Sequence, residues 1–156
     1  GISERIGVFY PLQTFSKSKE VDFRQIPIAV EGNNPEVALA IHAIADRLSE
    51  RVIDLDSNQR RILHVGAVLA CNFTNHMYVL AEQLLKDGGL DFNLLRPLIA
   101  ETALKIQLED PAIVQTGPAI RHDQNIIDRH LELLKNNLEL QELYAKLSQS
   151  IINYHK

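Results

Sequence analysis

Through the early part of the chain, short runs of β-branched and aromatic residues alternate with polar breaks; from residue 57 onward a helical period replaces them. Residues 6–10 (IGVFY) and 26–30 (IPIAV) have strand composition and are bounded by turn formers, Pro11 and the Gly32-Asn33-Asn34 run. Both are predicted strands. Pro27 cannot donate to a ladder, which points to a sheet edge for the second. Asn34 then supplies an N-cap, Pro35 stands at the first helical position, and Val37, Leu39, Ile41, Ile44 and Leu48 carry an amphipathic helix to about residue 49. Residues 51–55 (RVIDL) return as a third strand. Three strands are thin for an independent sheet, so this segment reads as the α/β closing edge of a larger one.

The remainder is helical in pattern. Ser57 is the expected cap of a long helix running to about residue 86, where Gly88-Gly89 stops it. A second helix begins at Asp91, with Leu94, Leu95, Leu98 and Ile99 inward, and bends or restarts at Pro97. Asp123 caps a third helix through Ile127 and Leu131, and residues 138–154 form a fourth. The composition break near Asp56 divides residues 1–56 from residues 57–156.

Within the long helix, residues 63–77 (LHVGAVLACNFTNHM) are apolar on nearly every side yet carry His64, Asn72, Thr74 and Asn75. At about 100° per residue, Asn75 falls roughly 20° from His64 and Asn72 about 80° round, so the three share one broad face. Apolar neighbours all round predict a helix enclosed by protein. A buried amide without a partner costs about 1–3 kcal/mol, so these groups call for a core network, a subunit seam or a substrate.

Composition narrows the function. With 156 residues and 46% hydrophobic content the chain can bury a real core. The net charge of -4, with Lys and Arg scattered, leaves no footprint for nucleic acid or an anionic membrane. The single Cys71 excludes an internal disulfide and cannot alone build a metal site, which suits a cytoplasmic setting. No run approaches the roughly 20 apolar residues of a membrane span. No HExxH, CxxC pair, P-loop, GxSxG or GxGxxG occurs. The last absence means that these residues do not make the pyrophosphate half of a dinucleotide site.

Three further constellations carry candidate chemistry. The stretch QTGPAIRHD places Thr116, Gly117, Arg121 and Asp123 just ahead of a helix N-terminus, a setting that attracts carboxylates and phosphates; a plain Gly-Pro turn with an Asp cap is the alternative. Lys105 stands four residues after Glu101, the spacing of an ordinary surface pair unless burial perturbs the lysine for acid-base work. Residues 10–16 (YPLQTFS) follow the first strand, and in open α/β sheets ligands lie beyond strand carboxyl ends, which marks Gln13 and Thr14.

Taken together, HVGAVLACNFTNHMYVLAEQLL, PLIAETALKI, QTGPAIRHDQNIIDRHLELL and the leading GVFYPLQTFS resemble the carboxy-terminal part of the NADP oxidoreductases described as Rossmann-like plus DUF2520. The motifs occur in the family's order over nearly the whole chain. The resemblance implies that residues 1–56 end a Rossmann-like NAD(P)-binding domain. Residues 57–156 would then be a helical substrate and dimerisation domain resembling the 6-phosphogluconate dehydrogenase C-terminal-like class. It implies NADP or NAD as cofactor, bound mainly by residues outside this sequence, a small polar substrate and a homodimer through the helical domain. His64, Asn72, Thr116, Gly117, Pro118, Arg121 and Asp123 match the family's recurrent positions, which suggests substrate binding by Thr116, Gly117, Arg121 and Asp123. Residue type makes His64, Asn72 and Lys105 the catalytic candidates, and their place after the strand puts Gln13 and Thr14 on the cofactor side. The alternative class is a non-catalytic helical dimerisation or interaction module.

Overall fold

The structure, a computed structural model, describes residues 4–15 and 20–156. The chain divides into two compact units, Gly1–Thr74 and Asn75–Lys156. The first contains strand β1 (Gly7–Pro11), a turn of 3-10 helix (Phe23–Gln25), strand β2 (Ile28–Gly32), helix α1 (Pro35–Ala45), strand β3 (Val52–Asp54) and helix α2 (Ser57–Ala67). A π-helical stretch, Val68–Phe73, follows α2.

The sheet has the order β1-β2-β3. β1 and β2 are antiparallel, with Gly7 opposite Gly32 and Tyr10 opposite Ala29, while β2 and β3 run parallel. β2 is therefore the central strand, not an edge. Pro27 precedes its ladder and serves as an acceptor, its carbonyl taking the Leu12 N–H at 2.8 Å, so the missing donor falls where none is needed. Alternation along β2 sends Ile28 and Val30 to one face, where they form the core with Ala45, Ile41, Phe23 and Val52. Asn34 caps α1 by accepting the Val37 N–H at 3.0 Å.

α1 lies so close to the sheet that an added Cβ on Gly32 would sit 2.3 Å from the Ala38 backbone nitrogen. Asp56, rather than Ser57, caps α2: its carboxylate accepts the Asn58 and Gln59 N–H groups, and the Gln59 side chain accepts the Asp56 N–H at 3.0 Å.

The second unit holds α3 (Thr74–Asp87, its first residue still in the first unit), α4 (Arg96–Leu108), α5 (Gln124–Leu133) and α6 (Leu138–Tyr154). A short 3-10 turn, Phe92–Leu95, leads into α4, so the bend expected near Pro97 takes the form of a restart one residue earlier. α5 and α6 pair through a 2.7 Å hydrogen bond between His130 Nδ1 and the Tyr144 hydroxyl, and the Gln141 side chain donates to the Leu131 carbonyl at 2.7 Å. α4, like α3, has no buried residue, although Leu98, Leu104, Ile106 and Leu108 lie along it. Among the described residues no helix is long and apolar enough to cross a membrane.

Candidate functional site

The face of the sheet away from α1 is set by the same alternation. Val8, Tyr10, Ala29 and Glu31 point to it, and α2 meets it through two polar contacts one turn apart. Arg60 donates to Glu31 at 2.6 Å, with the Ser57 hydroxyl on the same carboxylate at 3.1 Å. The Arg60 guanidinium holds the Glu31 carboxyl below its ordinary value of 4.5; partial burial opposes the shift and Ser57 adds to it. Four residues on, His64 Nδ1 lies 3.0 Å from the Tyr10 hydroxyl, with the two rings edge to face at a centroid distance of 6.4 Å. The Arg60–Glu31 pair fixes the helix on the sheet, and that placement brings His64 to the carboxyl end of β1.

There His64 lines a hollow of about 520 Å³ together with Tyr10, Gln13, Thr14, Cys71 and Asn72. Gln13 Oε1 accepts the Thr14 N–H at 2.8 Å and the Thr14 hydroxyl at 3.3 Å. Ser16, which closes the loop singled out in the sequence, lies outside the described residues. The π turn delivers Asn72 to this hollow. Its i→i+5 bonds widen one turn of the helix, and the Thr74 hydroxyl donates to the Leu69 carbonyl at 3.4 Å. Such turns recur at functional sites, where they re-aim a side chain.

The π turn also corrects the face expected from an even helical period. Asn72, not Asn75, accompanies His64; Asn75 lines a different hollow, with Tyr78, Val79, Phe92 and Arg96 in the second unit. Enclosure is corrected as well, because His64, Asn72 and Asn75 are all exposed in this chain and no residue of α2 or the π turn is buried. Apolar composition showed that the helix needs cover without showing what supplies it.

The other marked residues belong to the second unit. Lys105 Nζ lies 3.2 Å from Glu101, both half exposed on α4. Thr116, Gly117 and Arg121 stand in the loop before α5, where Gly117 has a φ of 110° and His122 a φ of 54°. Asp123 caps α5 by accepting the Ile126 N–H at 3.2 Å. No group of three or more metal-ligating side chains occurs among the described residues. Sequence reasoning missed Tyr10. Its signal was present, because alternation along β1 sends an aromatic hydroxyl to the sheet face opposite the core, directly before Gln13 and Thr14.

Comparison with known proteins adds a family. A crystal structure described as a putative NADP oxidoreductase, BF3122 from Bacteroides fragilis, superposes with a TM-score of 0.91 and is 52% identical, covering 98% of this chain and 59% of that one. Protein TM1727 from Thermotoga maritima shares the fold, with a TM-score of 0.80 at 20% identity, over 96% of this chain and 61% of that one. The chain thus spans about three-fifths of the length of these solved structures. Among curated proteins none matches. Residues 26–151 match the domain of unknown function DUF2520, and the chain belongs to that family.

Proposed function

We propose that the chain is the substrate-side part of an NAD(P)-dependent oxidoreductase acting on a small molecule. The observation that carries this is the His64–Tyr10 pair beside Asn72 in one hollow at a strand's carboxyl end, in a chain 52% identical to a protein described as an NADP oxidoreductase. NADP, where bound, supplies hydride chemistry. The residues here fit at most the nicotinamide end of that group, since no cation lines the hollow among the described residues and the sequence has no glycine fingerprint. Gln13 and Thr14 form that rim. His64 is the proton donor and Asn72 orients the substrate; Lys105 is already committed to Glu101. Within the second unit, Thr116, Gly117 and Arg121 are the residues that bind an anionic group, with Asp123 serving as the helix cap.

In this reading residues 1–56 complete a Rossmann-like sheet and residues 57–156 form a helical domain of the 6-phosphogluconate dehydrogenase C-terminal-like class. A second copy covers α4. Leu98, Leu104, Ile106 and Leu108 are exposed along it, and apolar side chains in that number call for a partner.

The test is thermal stabilisation of the full-length protein by NADPH and NADH. A rise in melting temperature that saturates with one dinucleotide supports the assignment, and no rise with either sinks it.

A further inference from the structure

We propose that Tyr10 is the positioning residue that sets His64, and that their hollow reads an uncharged oxygen, a carbonyl or hydroxyl, on a largely apolar small molecule. This rests on the reading above in taking the hollow as the substrate side.

The Tyr10 hydroxyl and His64 Nδ1 are 3.0 Å apart. A phenol O–H is the better donor and a bare imidazole nitrogen the better acceptor, so the hydroxyl donates to Nδ1. The neutral ring then carries its proton on Nε2, because the bond made by one ring nitrogen decides the state of the other. Edge-to-face contact at an interplanar angle of 65° holds the ring plane. Among the described residues nothing is hydrogen-bonded to Nε2, which leaves its N–H for a molecule in the hollow.

The rest of the lining decides what that molecule is. Among the described residues its polar side chains are Tyr10, Gln13, Thr14, His64 and Asn72, with no Asp, Glu, Lys or Arg, and the remainder of that lining is apolar apart from Gly66 and Cys71. Gln13 Oε1 is occupied by Thr14, which leaves the Gln13 Nε2 and the Asn72 amide uncommitted among the described residues. Neutral N–H donors over an apolar floor suit an acceptor oxygen without charge. A carboxylate entering there would meet no fixed cation among the described residues.

The experiment uses full-length protein labelled with ¹⁵N-histidine, with the His64 signals assigned through His64→Gln. Wild type is expected to show the Nε2-protonated form, and Tyr10→Phe to draw the two ring-nitrogen signals of His64 together as both tautomers populate. Cyclohexanone should then shift those signals at a concentration about tenfold below that needed for cyclohexanecarboxylate, with the ketone response weakened in Asn72→Ala. Nδ1 protonation in wild type, unmoved nitrogen signals in a folded Tyr10→Phe, or a carboxylate that titrates as tightly as the ketone each overturns the proposal. No step requires a dinucleotide. Failure of NADPH and NADH to bind would therefore count against the oxidoreductase reading while leaving these signals to decide this one.

Discussion

Replacing Gly32 and Gly66 separately with alanine makes one chemical change at two sites whose surroundings demand opposite outcomes. At Gly32 the new Cβ would lie 2.3 Å from the Ala38 backbone nitrogen and 2.6 Å from its Cα, where ordinary contact begins at 3.4 Å. The obstacle is backbone, so the first turn of α1 must retreat by about 1 Å, a gap that forfeits roughly a quarter to a half of each dispersion contact behind it. Val37 and Ile41 are the side chains that lose them. Overpacking of this kind costs about 1–3 kcal/mol, and the restricted unfolded chain returns about 0.4–1 kcal/mol, which leaves a loss of about 1.3 kcal/mol. At Gly66 nothing stands within 4 Å of the new Cβ, so the helix gains about 0.5–1 kcal/mol. Because the chain forms two compact units, amide exchange at Ile28 and Val30 reads the first one by itself. Gly32→Ala should lower their protection roughly tenfold and Gly66→Ala raise it by about threefold, at about 1.4 kcal/mol per tenfold. Protection within about threefold of wild type in Gly32→Ala, or reduced protection in Gly66→Ala, would refute the steric argument.

Three other outcomes are expected. The folded Glu31 carboxyl sits below its ordinary 4.5, so the ionised form favours folding; that contribution is complete above about pH 4.5 and fades as pH falls through the lower folded value. Urea midpoints of wild type and Arg60→Met should therefore converge between about pH 6 and about pH 3, and a constant difference would contradict the assignment. Asp123→Ala should cost about 1 kcal/mol of helix stability, read by exchange at buried Ile127, with Asp123→Asn close to neutral; equal losses would point to a charge-dependent role beyond capping. Leu104→Glu on α4 should shift the full-length protein toward monomer in sedimentation equilibrium, whereas an unchanged mass would remove the second copy from that helix.

Local chemistry was legible wherever one residue type answers one backbone need. Asn34 ahead of Pro35 opens α1, Asp123 opens α5, and α6 spans the expected Leu138–Tyr154. What failed required information from elsewhere in the chain. Pro27 suggested an edge because proline interrupts a ladder, but the ladder begins one residue later and β2 became central. Asn75 was matched to His64 by extrapolating an α-helical period through residues that form a π turn, a choice that apolar spacing does not encode. Of the candidate hollow's lining, His64, Asn72, Gln13 and Thr14 were singled out by type and position. Their link to Tyr10 joins residues 54 apart and needed the sheet, the Arg60–Glu31 pair and α2 all in place.

The π turn at Val68–Phe73 amounts to one residue of slack stored in a helix. Loss of a single codon within it would return the ladder to i→i+4 spacing and swing the side chains that follow, Asn72 among them, by about 100° against His64. Every other residue would keep its identity. In this fold a one-residue deletion is thus a route by which descent could re-aim the hollow's amide, and with it what the hollow accepts, without altering any of the groups that line the sheet.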